Sequence, residues 1–357
     1  MSRIDKNNII CDDIDSICST PLDWQSLSKK TILITGGSGF IGAYLVKTLL
    51  RANQLFNLHL TVICVVRSKR ALKDRLGSCL TFSNLIIFEQ DMSLPLSQTF
   101  PVADIVLHAA SPASPAYYNN DPVGTLAANV SGTMNLLNFS QRNTIEQFLY
   151  ISSGEVYGEL VNSASEIMED SYGYLNPMKV RSCYGESKRM SENICVSYSH
   201  QYGIDTRIVR PFHTYGPGLS PSDGRVFADF IHAVAAGNDI EMTSDGSAKR
   251  PFCYISDAVT GIFHVLFNGK SSNAYNMGNP DGEVSIKALA TIVSEARMDF
   301  NVSVKSSVKA DSYLKSPISR QIVNIDKLKS LGWAPRISII DGFKRSVSSE
   351  IETLVSK

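Results

Sequence analysis

A tyrosine and a lysine four residues apart are the side chains in this sequence best suited to acid–base chemistry. Tyr184 and Lys188 lie in "CYGESKRMSE", which reads as a helix, so the spacing places both on one face. A neighbouring ammonium lowers the pKa of a phenol electrostatically, and such a phenol can exchange a proton with a hydroxyl group. This spacing is common on helices by chance, so it gains weight only from the segments around it.

The segment "SSGEVYG", residues 152–158, carries the second set of chemical groups. It has one carboxylate, Glu155, with the hydroxyl of Ser153 two residues before it and Gly154 between them. What a lone acid beside a hydroxyl can do depends on which other groups the fold brings to it.

Strands and helices alternate around these segments. Six apolar segments predict strands, at 30–36, 60–67, 84–91, 103–110, 145–153 and 203–211. Helical segments lie between them, at 40–52, 124–142 and 184–203. Apolar strands separated by helices predict an α/β fold with a doubly wound parallel sheet that is covered on both faces. Such sheets bind ligands at the carboxyl ends of their strands, where Ser153 would lie.

A glycine-rich turn separates the first predicted strand from the first predicted helix. The segment "TILITGGSGFIGAYL" places Gly36, Gly39 and Gly42 there. Glycine lets the backbone approach a pyrophosphate, and the free N–H groups of the helix favour its negative charge. The turn predicts a dinucleotide site, and a nicotinamide would exchange a hydride while Tyr184 exchanges a proton.

The turn after the second strand, "VVRSKR", bears on the choice of coenzyme. Arg67 and Ser68 lie where NAD enzymes place an acid for the ribose 2′-hydroxyl. A cation and a hydroxyl suit a 2′-phosphate, so we expect NADP(H), with NAD(H) as the alternative. A solvated basic turn is the other interpretation. Asp91, after the third strand, either meets the adenine or caps a turn.

The composition of the chain changes after Pro211, where Gly, Pro and Ser cluster in "HTYGPGLSPSDG". We expect a dinucleotide-binding domain followed by a smaller substrate lobe, part of which returns to the first domain. Trp24 and Leu27 are expected to pack an N-terminal extension onto the body of the protein. The expected boundaries are 1–29 for the extension, 30–210 for the first domain, 211–345 for the lobe and 346–357 for a tail.

Composition argues against several classes of function. Lys plus Arg and Asp plus Glu number 34 each, and a net charge of zero argues against a nucleic-acid partner. The seven cysteines are scattered without C-x-x-C spacing, which argues against a disulfide framework or a metal site and fits a reducing cytoplasm. No segment has the apolar length of a signal peptide or membrane span, so we expect a cytoplasmic protein with no membrane partner.

The ordered motifs "TGGSGFIG", "HAAS", "SSGEVYG", "CYGESK", "RPFHTYGP", "RPFCYISD" and "LGWAP" resemble the extended short-chain dehydrogenase/reductases that modify nucleotide sugars. The resemblance runs from about Lys30 to Arg345. Within that family, "RSCYGESKR" and "SDGRVFADFI" look most like the UDP-glucuronate decarboxylases, and the dTDP-glucose 4,6-dehydratases come next. The resemblance implies a nucleotide-diphosphate sugar substrate and a homodimer formed through the helices that bear 125–138 and 184–198.

The resemblance also assigns roles to single positions. Tyr184 and Lys188 match the catalytic pair of the family. Ser153 matches the hydroxyl residue that binds the sugar C4 oxygen, and Glu155 matches an active-site glutamate. Cofactor contacts beyond the glycines and the basic turn are implied for Ser38, Phe40, Ile41, Met92, His108, Ala109, Ala110, Ser111, Asn129, Lys188 and Pro211. Substrate contacts are implied for Ser114, Arg181, His213, Arg225, Arg250 and Arg320.

Three positions depart from the family pattern. A 4,6-dehydratase carries an Asp where this chain has Gly154, and loss of water needs both an acid and a base, so dehydration is disfavoured. The decarboxylases have a Ser there, and an acid at the end of the second strand where this chain has Arg67. His213 replaces an Asn, which puts the contacts to the nucleotide phosphates in doubt.

These observations lead to a ranked expectation of function. Hydride exchange at C4 requires only Ser153, Tyr184, Lys188 and a nicotinamide. The first expectation is a reductase of a nucleotide-linked 4-keto-6-deoxy sugar in the synthesis of surface-polysaccharide precursors. A UDP-glucuronate decarboxylase or a nucleotide-sugar C4 epimerase is the alternative. A non-enzymatic nucleotide sensor on the same fold is disfavoured, because such proteins tend to lose the tyrosine or the lysine.

Overall fold

The structure is a computed structural model that describes residues 3–160, 162, 165–297, 299–306 and 320–355. Its strands are β1 Thr31–Thr35, β2 Thr61–Val66, β3 Leu85–Glu89, β4 Ile105–His108, β5 Gln147–Ile151, β6 Glu166–Ile167, β7 Thr206–Pro211, β8 His213–Tyr215, β9 Ile240–Met242, β10 Lys249–Tyr254, β11 Asn273–Met277, β12 Glu283–Ser285, β13 Val304–Ser306 and β14 Ile322–Val323. Its helices are α1 Asn8–Cys18, α2 Phe40–Phe56, α3 Leu72–Leu76, α4 Pro115–Asn120, α5 Pro122–Asn143, α6 Cys183–Tyr202, α7 Val226–Ala235, α8 Ile255–Asn268, α9 Ile286–Ser294, α10 Asp326–Lys329 and α11 Ile339–Val355.

A seven-stranded sheet forms the centre of the molecule. Its strands follow the order β3-β2-β1-β4-β5-β7-β11, and all neighbours are parallel. The central strands are buried on both faces because helices cover the sheet on each side, which explains their continuous apolar sequences. The predicted doubly wound α/β fold is confirmed.

The crevice of the sheet lies where the chain order reverses, between β1 and β4. Thr35 pairs with His108 of β4, which pairs in turn with Tyr150 of β5. The three loops that leave these strands therefore start side by side at one edge of the sheet. This edge is where open α/β sheets bind their ligands.

The second lobe contains two small sheets and gives one strand back to the large sheet. Strands β8, β10 and β12 form one small sheet, and β9 pairs with β13 in the other. Strand β11 lies between β10 and β12 in the chain but pairs with β7 of the large sheet, with Ala274 opposite Ile208.

The N-terminal segment contains a helix that we did not predict. Helix α1 packs against α2, α8 and α11 and buries Ile14 and Ile17. These residues and Ile10 have helical spacing, a signal that the polar residues between them obscured. Trp24 and Leu27 are buried, as we expected.

The segment expected to be a C-terminal tail is also helical in its described part. Helix α11 continues to Val355 and buries Ser346, Val347 and Ser349, so the boundary at residue 345 falls inside a helix. The apolar face of α11 keeps it packed on the lobe. None of the helices in the described ranges combines the length and apolarity that a membrane crossing needs.

Candidate active site

The passage from β1 into α2 admits only glycine at two positions, Gly36 in the loop and Gly42 in the first turn of the helix. Gly36 has a φ of 72°, and a Cβ atom there would lie 2.7 Å from Ala110 Cα. A Cβ atom at Gly42 would lie 2.2 Å from the carbonyl oxygen of Gly36. Gly39 is the N-cap of α2. The other predicted residues of this turn are Ser38, Phe40 and Ile41. Backbone lines the loop, and the first N–H groups of a 17-residue helix point into it, so the loop fits the diphosphate of a dinucleotide.

The end of β4 is fixed beside this loop by side chains of β1. Thr35 Oγ1 lies 2.7 Å from His108 Nδ1 and accepts a hydrogen bond of 3.2 Å from Ala110 N. Burial, and then the charge of Lys188, lowers the pKa of His108 to about 3, so its imidazole is neutral. The residues held next to the glycine loop in this way are Ala109, Ala110 and Ser111.

The basic turn after β2 is exposed and open to solvent. Arg67 and Ser68 are both exposed, and Ser68 accepts a hydrogen bond of 3.3 Å from Arg70 N. Glu89, at the end of β3, accepts one of 3.1 Å from Lys69 N. The turn therefore offers two arginines, but the neighbouring strand places a carboxylate close to it.

The carboxylate of Asp91 caps a turn, which was one of its two predicted roles. It accepts hydrogen bonds from Ser93 N and Ser93 Oγ at 2.9 and 2.7 Å. Met92 is buried, and its carbonyl oxygen accepts a hydrogen bond of 2.9 Å from Asn135 Nδ2.

Asn129 and Pro211 lie deeper at the same edge of the sheet. Asn129 Nδ2 donates to Thr125 O at 3.1 Å and to Ser187 Oγ at 3.0 Å. Its Oδ1 is buried and has no hydrogen-bond partner among the described residues. Pro211 ends β7, opposite Met277. A buried acceptor with nothing bonded to it fits a site that a cofactor completes.

Tyr184, Lys188 and Ser153 come together as predicted, on α6 and at the end of β5. Lys188 Nζ donates a hydrogen bond of 2.7 Å to Ile151 O, and it lies 4.7 Å from the centre of the Tyr150 ring. The ring of Tyr184 is centred 5.8 Å from the same nitrogen. Strand β5 thus holds the lysine with its last carbonyl and presents Ser153 to the phenol two residues later.

Burial shapes the acid–base properties of this group. It raises the pKa of Tyr184, whereas hydrogen bonding by Ser153 lowers it. Burial lowers the pKa of Lys188 to about 7, and the charge of Glu192 opposes that effect. The amine therefore changes its charge near neutral pH, directly beside the phenol. This arrangement suits the passage of a proton to and from a substrate hydroxyl.

The carboxylate of Glu155 is tied into a chain of contacts that ends on Tyr184. Glu155 Oε2 lies 3.1 Å from Arg181 NH2, and the Arg181 guanidinium is 4.9 Å from the centre of the Tyr118 ring. Tyr118 stacks on Tyr184 with ring centres 4.7 Å apart, and it donates a hydrogen bond of 2.8 Å to Ala113 O. Sequence reasoning missed Tyr118, although the aromatic pair in "SPAYYNN" lies only a few residues after the "HAAS" motif.

Gly154 has little room for a side chain. A Cβ atom there would lie 3.0 Å from two carbons of the Phe212 ring, which is tighter than most real contacts. Phe212 itself packs against Tyr157, with ring centres 6.1 Å apart. The Phe212 ring therefore leaves little space for an acidic side chain at position 154.

The loop before α7 carries two of the predicted substrate residues. Arg225 binds the carboxylate of Asp223 through two hydrogen bonds, of 2.5 and 2.8 Å. Ser114 donates a hydrogen bond to the carbonyl oxygen of Asp223. Burial raises the pKa of Tyr184, and the charge of Arg225 partly opposes that effect. The loop therefore borders the tyrosine.

His213 and Arg250 form a second group of predicted substrate residues. His213 Nε2 lies 3.1 Å from Gln321 Oε1. Burial lowers the pKa of His213 to about 3, and the charges of Arg250 and Arg225 act in the same direction. The hydrogen bond with Gln321 opposes this shift. His213 is thus a neutral side chain close to two arginines. A neutral imidazole can replace an amide as a hydrogen-bonding group.

Arg320 is not gathered into either group by its described contacts. Its guanidinium binds the carboxylate of Glu283 through hydrogen bonds of 2.6 and 2.8 Å, and its side chain is 38% exposed. This ion pair fixes the arginine at the edge of β12.

The sequence matches one family model over most of its length. Residues 32–278 match the "NAD dependent epimerase/dehydratase family". The chain is 36% identical over 318 residues to UDP-glucuronic acid decarboxylase 6 of Arabidopsis thaliana, across 88% of this chain and 87% of that protein.

Solved structures of nucleotide-sugar enzymes share the fold. A dTDP-glucose 4,6-dehydratase from Streptomyces venezuelae, with NAD bound, superposes with a TM-score of 0.79 at 25% identity, covering 91% of this chain and 98% of that one. A UDP-glucuronic acid 4-epimerase from Bacillus cereus, in complex with UDP-glucuronic acid and NAD, superposes with a TM-score of 0.76 at 23% identity, covering 91% and 99%.

The glycine loop, the Tyr184 and Lys188 pair and the match over residues 32–278 agree with one another. The chain is an enzyme of the extended short-chain dehydrogenase/reductase type that modifies nucleotide sugars, and it belongs to the NAD dependent epimerase/dehydratase family.

Proposed function

We propose that this enzyme oxidises a nucleotide-linked uronic acid at C4 and releases its carboxyl group as carbon dioxide. The observation that carries the proposal is the composition of the site. Ser153, Tyr184 and Lys188 are assembled for oxidation at C4, Arg181 and Arg225 supply positive charge, and Gly154 supplies no acid. Decarboxylation needs a ketone at C4 and a charge to hold the carboxylate, but no acid to protonate a leaving hydroxyl.

The proposed reaction has three steps, which are oxidation at C4, loss of the carboxyl group and reduction at C4. A bound NAD supplies hydride acceptance and return at C4. The Tyr184 phenolate takes the proton of the C4 hydroxyl, while Ser153 holds the oxygen and the Lys188 ammonium stabilises the phenolate. The C5–C6 bond then breaks, carbon dioxide leaves, and the bonding electrons move onto the C4 oxygen. A proton from solvent water adds at C5 and restores the ketone, and Tyr184 would return its proton to the C4 oxygen when that ketone is reduced.

The names of the relatives support this ranking over the one we first expected from sequence. Relatives from Arabidopsis thaliana at 36% and 35% identity are UDP-glucuronic acid decarboxylases. UDP-glucuronate is accordingly the substrate to test first. The half-buried His213 and the buried Arg250 would then bind the nucleotide diphosphate.

Reduction of a nucleotide-linked 4-keto-6-deoxy sugar is the second candidate, and the basic turn after β2 favours it. Arg67 and Arg70 in that turn suit the 2′-phosphate of NADP(H), which a reductase consumes. We therefore also propose that NADP(H) binds at least as well as NAD(H). Glu89 beside the turn opposes this preference, so direct titration with both coenzymes is needed.

One assay separates the two reactions. Purified enzyme is incubated with UDP-glucuronate or with several nucleotide 4-keto sugars, with and without NADPH. The masses of the products are then measured by mass spectrometry. The proposal expects a UDP-pentose and carbon dioxide without oxidation of NADPH. Oxidation of one NADPH per 4-keto sugar, with no turnover of UDP-glucuronate, would support the reductase instead.

We further propose a homodimer formed through α5 and α6, which pack side by side. Both helices expose large apolar side chains, at Val123, Leu126, Met134, Met190 and Val196. A second copy of these two helices would cover them in a four-helix interface. Sedimentation should give twice the chain mass, and Met190→Glu should give the monomer. A wild-type monomer at micromolar concentration would exclude this interface.

A further inference from the structure

One buried carboxylate on α6 binds the residue next to Ser153 and an arginine of β7. Glu192 lies one helical turn after Lys188 on α6, and it is 8% exposed. Its Oε1 accepts a hydrogen bond of 2.5 Å from Ser152 Oγ, and its Oε2 lies 2.6 Å from Arg210 NH2. We propose that Glu192 is a positioning residue that holds Lys188 charged and in place for oxidation at C4.

Glu192 binds the end of β5 through Ser152. Ser152 is buried, and it is the residue between Ile151, whose carbonyl binds Lys188 Nζ at 2.7 Å, and Ser153. Its N–H also donates a hydrogen bond of 2.7 Å to Val209 O. By binding the Ser152 hydroxyl, Glu192 fixes both the acceptor of the lysine and the hydroxyl that faces Tyr184.

Glu192 also affects the charge of Lys188. The buried carboxylate of Glu192 is matched by Arg210 of β7, whose Nε lies 2.9 Å from Oε1. Arg210 is held in turn by Tyr157, at 2.7 Å, and by the carbonyl oxygen of Glu169, at 2.8 Å. A buried ammonium is costly without a nearby negative charge, and Glu192 provides it one turn away.

The charge of Lys188 depends on a small set of neighbours. The groups that face it from the packed elements are Glu192, Cys195 and Tyr184 of α6, Tyr150 of β5 and His108 of β4. His108 is neutral, and burial raises the pKa of the Cys195 thiol well above its usual value. Glu192 is the carboxylate in this set, and its charge opposes the effect of burial on the pKa of Lys188.

The test titrates Lys188 directly. The inference rests on the proposed oxidation at C4, but this measurement needs no substrate, so either can fail without the other. Protein labelled with ¹³C at the lysine ε-carbons is titrated by NMR with saturating NAD, and the signal absent from Lys188→Arg is followed. Glu192→Gln should lower the midpoint by about one pH unit or more, because it removes a negative charge.

Two further variants sharpen the result. Arg210→Gln should raise the midpoint, because Glu192 then acts without a compensating cation. Ser152→Ala removes no charge, so it should leave the midpoint unchanged while kcat falls several-fold at an unaltered KM. Thermal melting and NAD binding report whether each variant folds. If Glu192→Gln does not fold, the shift of the Lys188 midpoint in Arg210→Gln tests the proposal alone. A midpoint that stays fixed in the charge variants would assign Glu192 a structural role only.

Discussion

Three residues from two neighbouring elements carry the proton exchange that we propose for this site. Tyr184 and Lys188 share a helix face, and Ser153 follows an apolar strand, so local spacing was enough to group them. Tyr118, Glu192 and Arg210 escaped prediction because their roles depend on contacts between distant segments. The Ser152 and Glu192 side chains, for example, meet across forty positions of sequence.

Replacement of Tyr184 by Phe tests the acid–base role at this scale. The Tyr184→Phe variant keeps the ring that stacks on Tyr118 and loses only the hydroxyl, so fold and NAD binding should persist. Turnover should fall by about two to four orders of magnitude. Tyr174→Phe is the matched control, since the Tyr174 side chain is 63% exposed. Equal turnover of the two variants would remove Tyr184 from the mechanism.

An acid introduced at position 154 tests whether the Phe212 ring leaves room for a side chain there. Gly154→Asp should lower the free energy of unfolding by about 1–3 kcal/mol, because the new side chain meets the Phe212 ring. Phe212→Leu in the same chain should recover part of that loss. Urea denaturation of the four combinations measures it. Wild-type stability of Gly154→Asp would mean that the ring moves aside freely.

Secondary structure was predictable where the apolar pattern within one segment is clear. Strands β1 to β5 and β7 lie within their predicted segments. Helices α2, α5 and α6 overlap theirs but extend beyond them, and α2 continues to Phe56. Helix α1 was missed because its buried Asp13 interrupts the apolar pattern, and the cation that pairs with that carboxylate lies at the far end of the chain. Patterns within one window cannot report such a partner.

The turn after β2 carries the coenzyme prediction. Arg67→Asp should reverse an NADP(H) preference, because a carboxylate repels the 2′-phosphate and accepts a hydrogen bond from a 2′-hydroxyl. Fluorescence titration of wild type and variant with NADPH and NADH measures the two affinities. Lys73→Asp, an exposed position on α3, controls for a general change of charge. A wild-type preference for NADH would show that the basic turn is only solvated.

On the scale of the whole molecule, α1 joins the two ends of the chain to both lobes. Asp13 is 2% exposed and lies 2.7 Å from Arg345 of α11. It also accepts hydrogen bonds from Tyr44 of α2 and Tyr254 of β10, at 3.3 and 2.8 Å. One carboxylate thus connects the dinucleotide domain, the substrate lobe and the last helix.

Removal of this charge should loosen the whole protein. Asp13→Asn should lower the free energy of unfolding by about 1–3 kcal/mol, because Arg345 loses its partner in a largely buried setting. Asp12→Asn, at the exposed neighbouring position, should change it little. Chemical denaturation compares the two variants. Equal stability would show that α1 is held by its apolar face alone.

In the proposed reaction the sugar is oxidised and reduced at the same carbon while its carboxyl group leaves. UDP-glucuronate carrying deuterium at C4 tests it in one incubation with enzyme and NAD. Because the hydride removed from C4 returns to C4, the account predicts a UDP-pentose that retains the deuterium, with carbon dioxide released in equal amount. Unchanged UDP-glucuronate, or a product that keeps its carboxyl group, would contradict it.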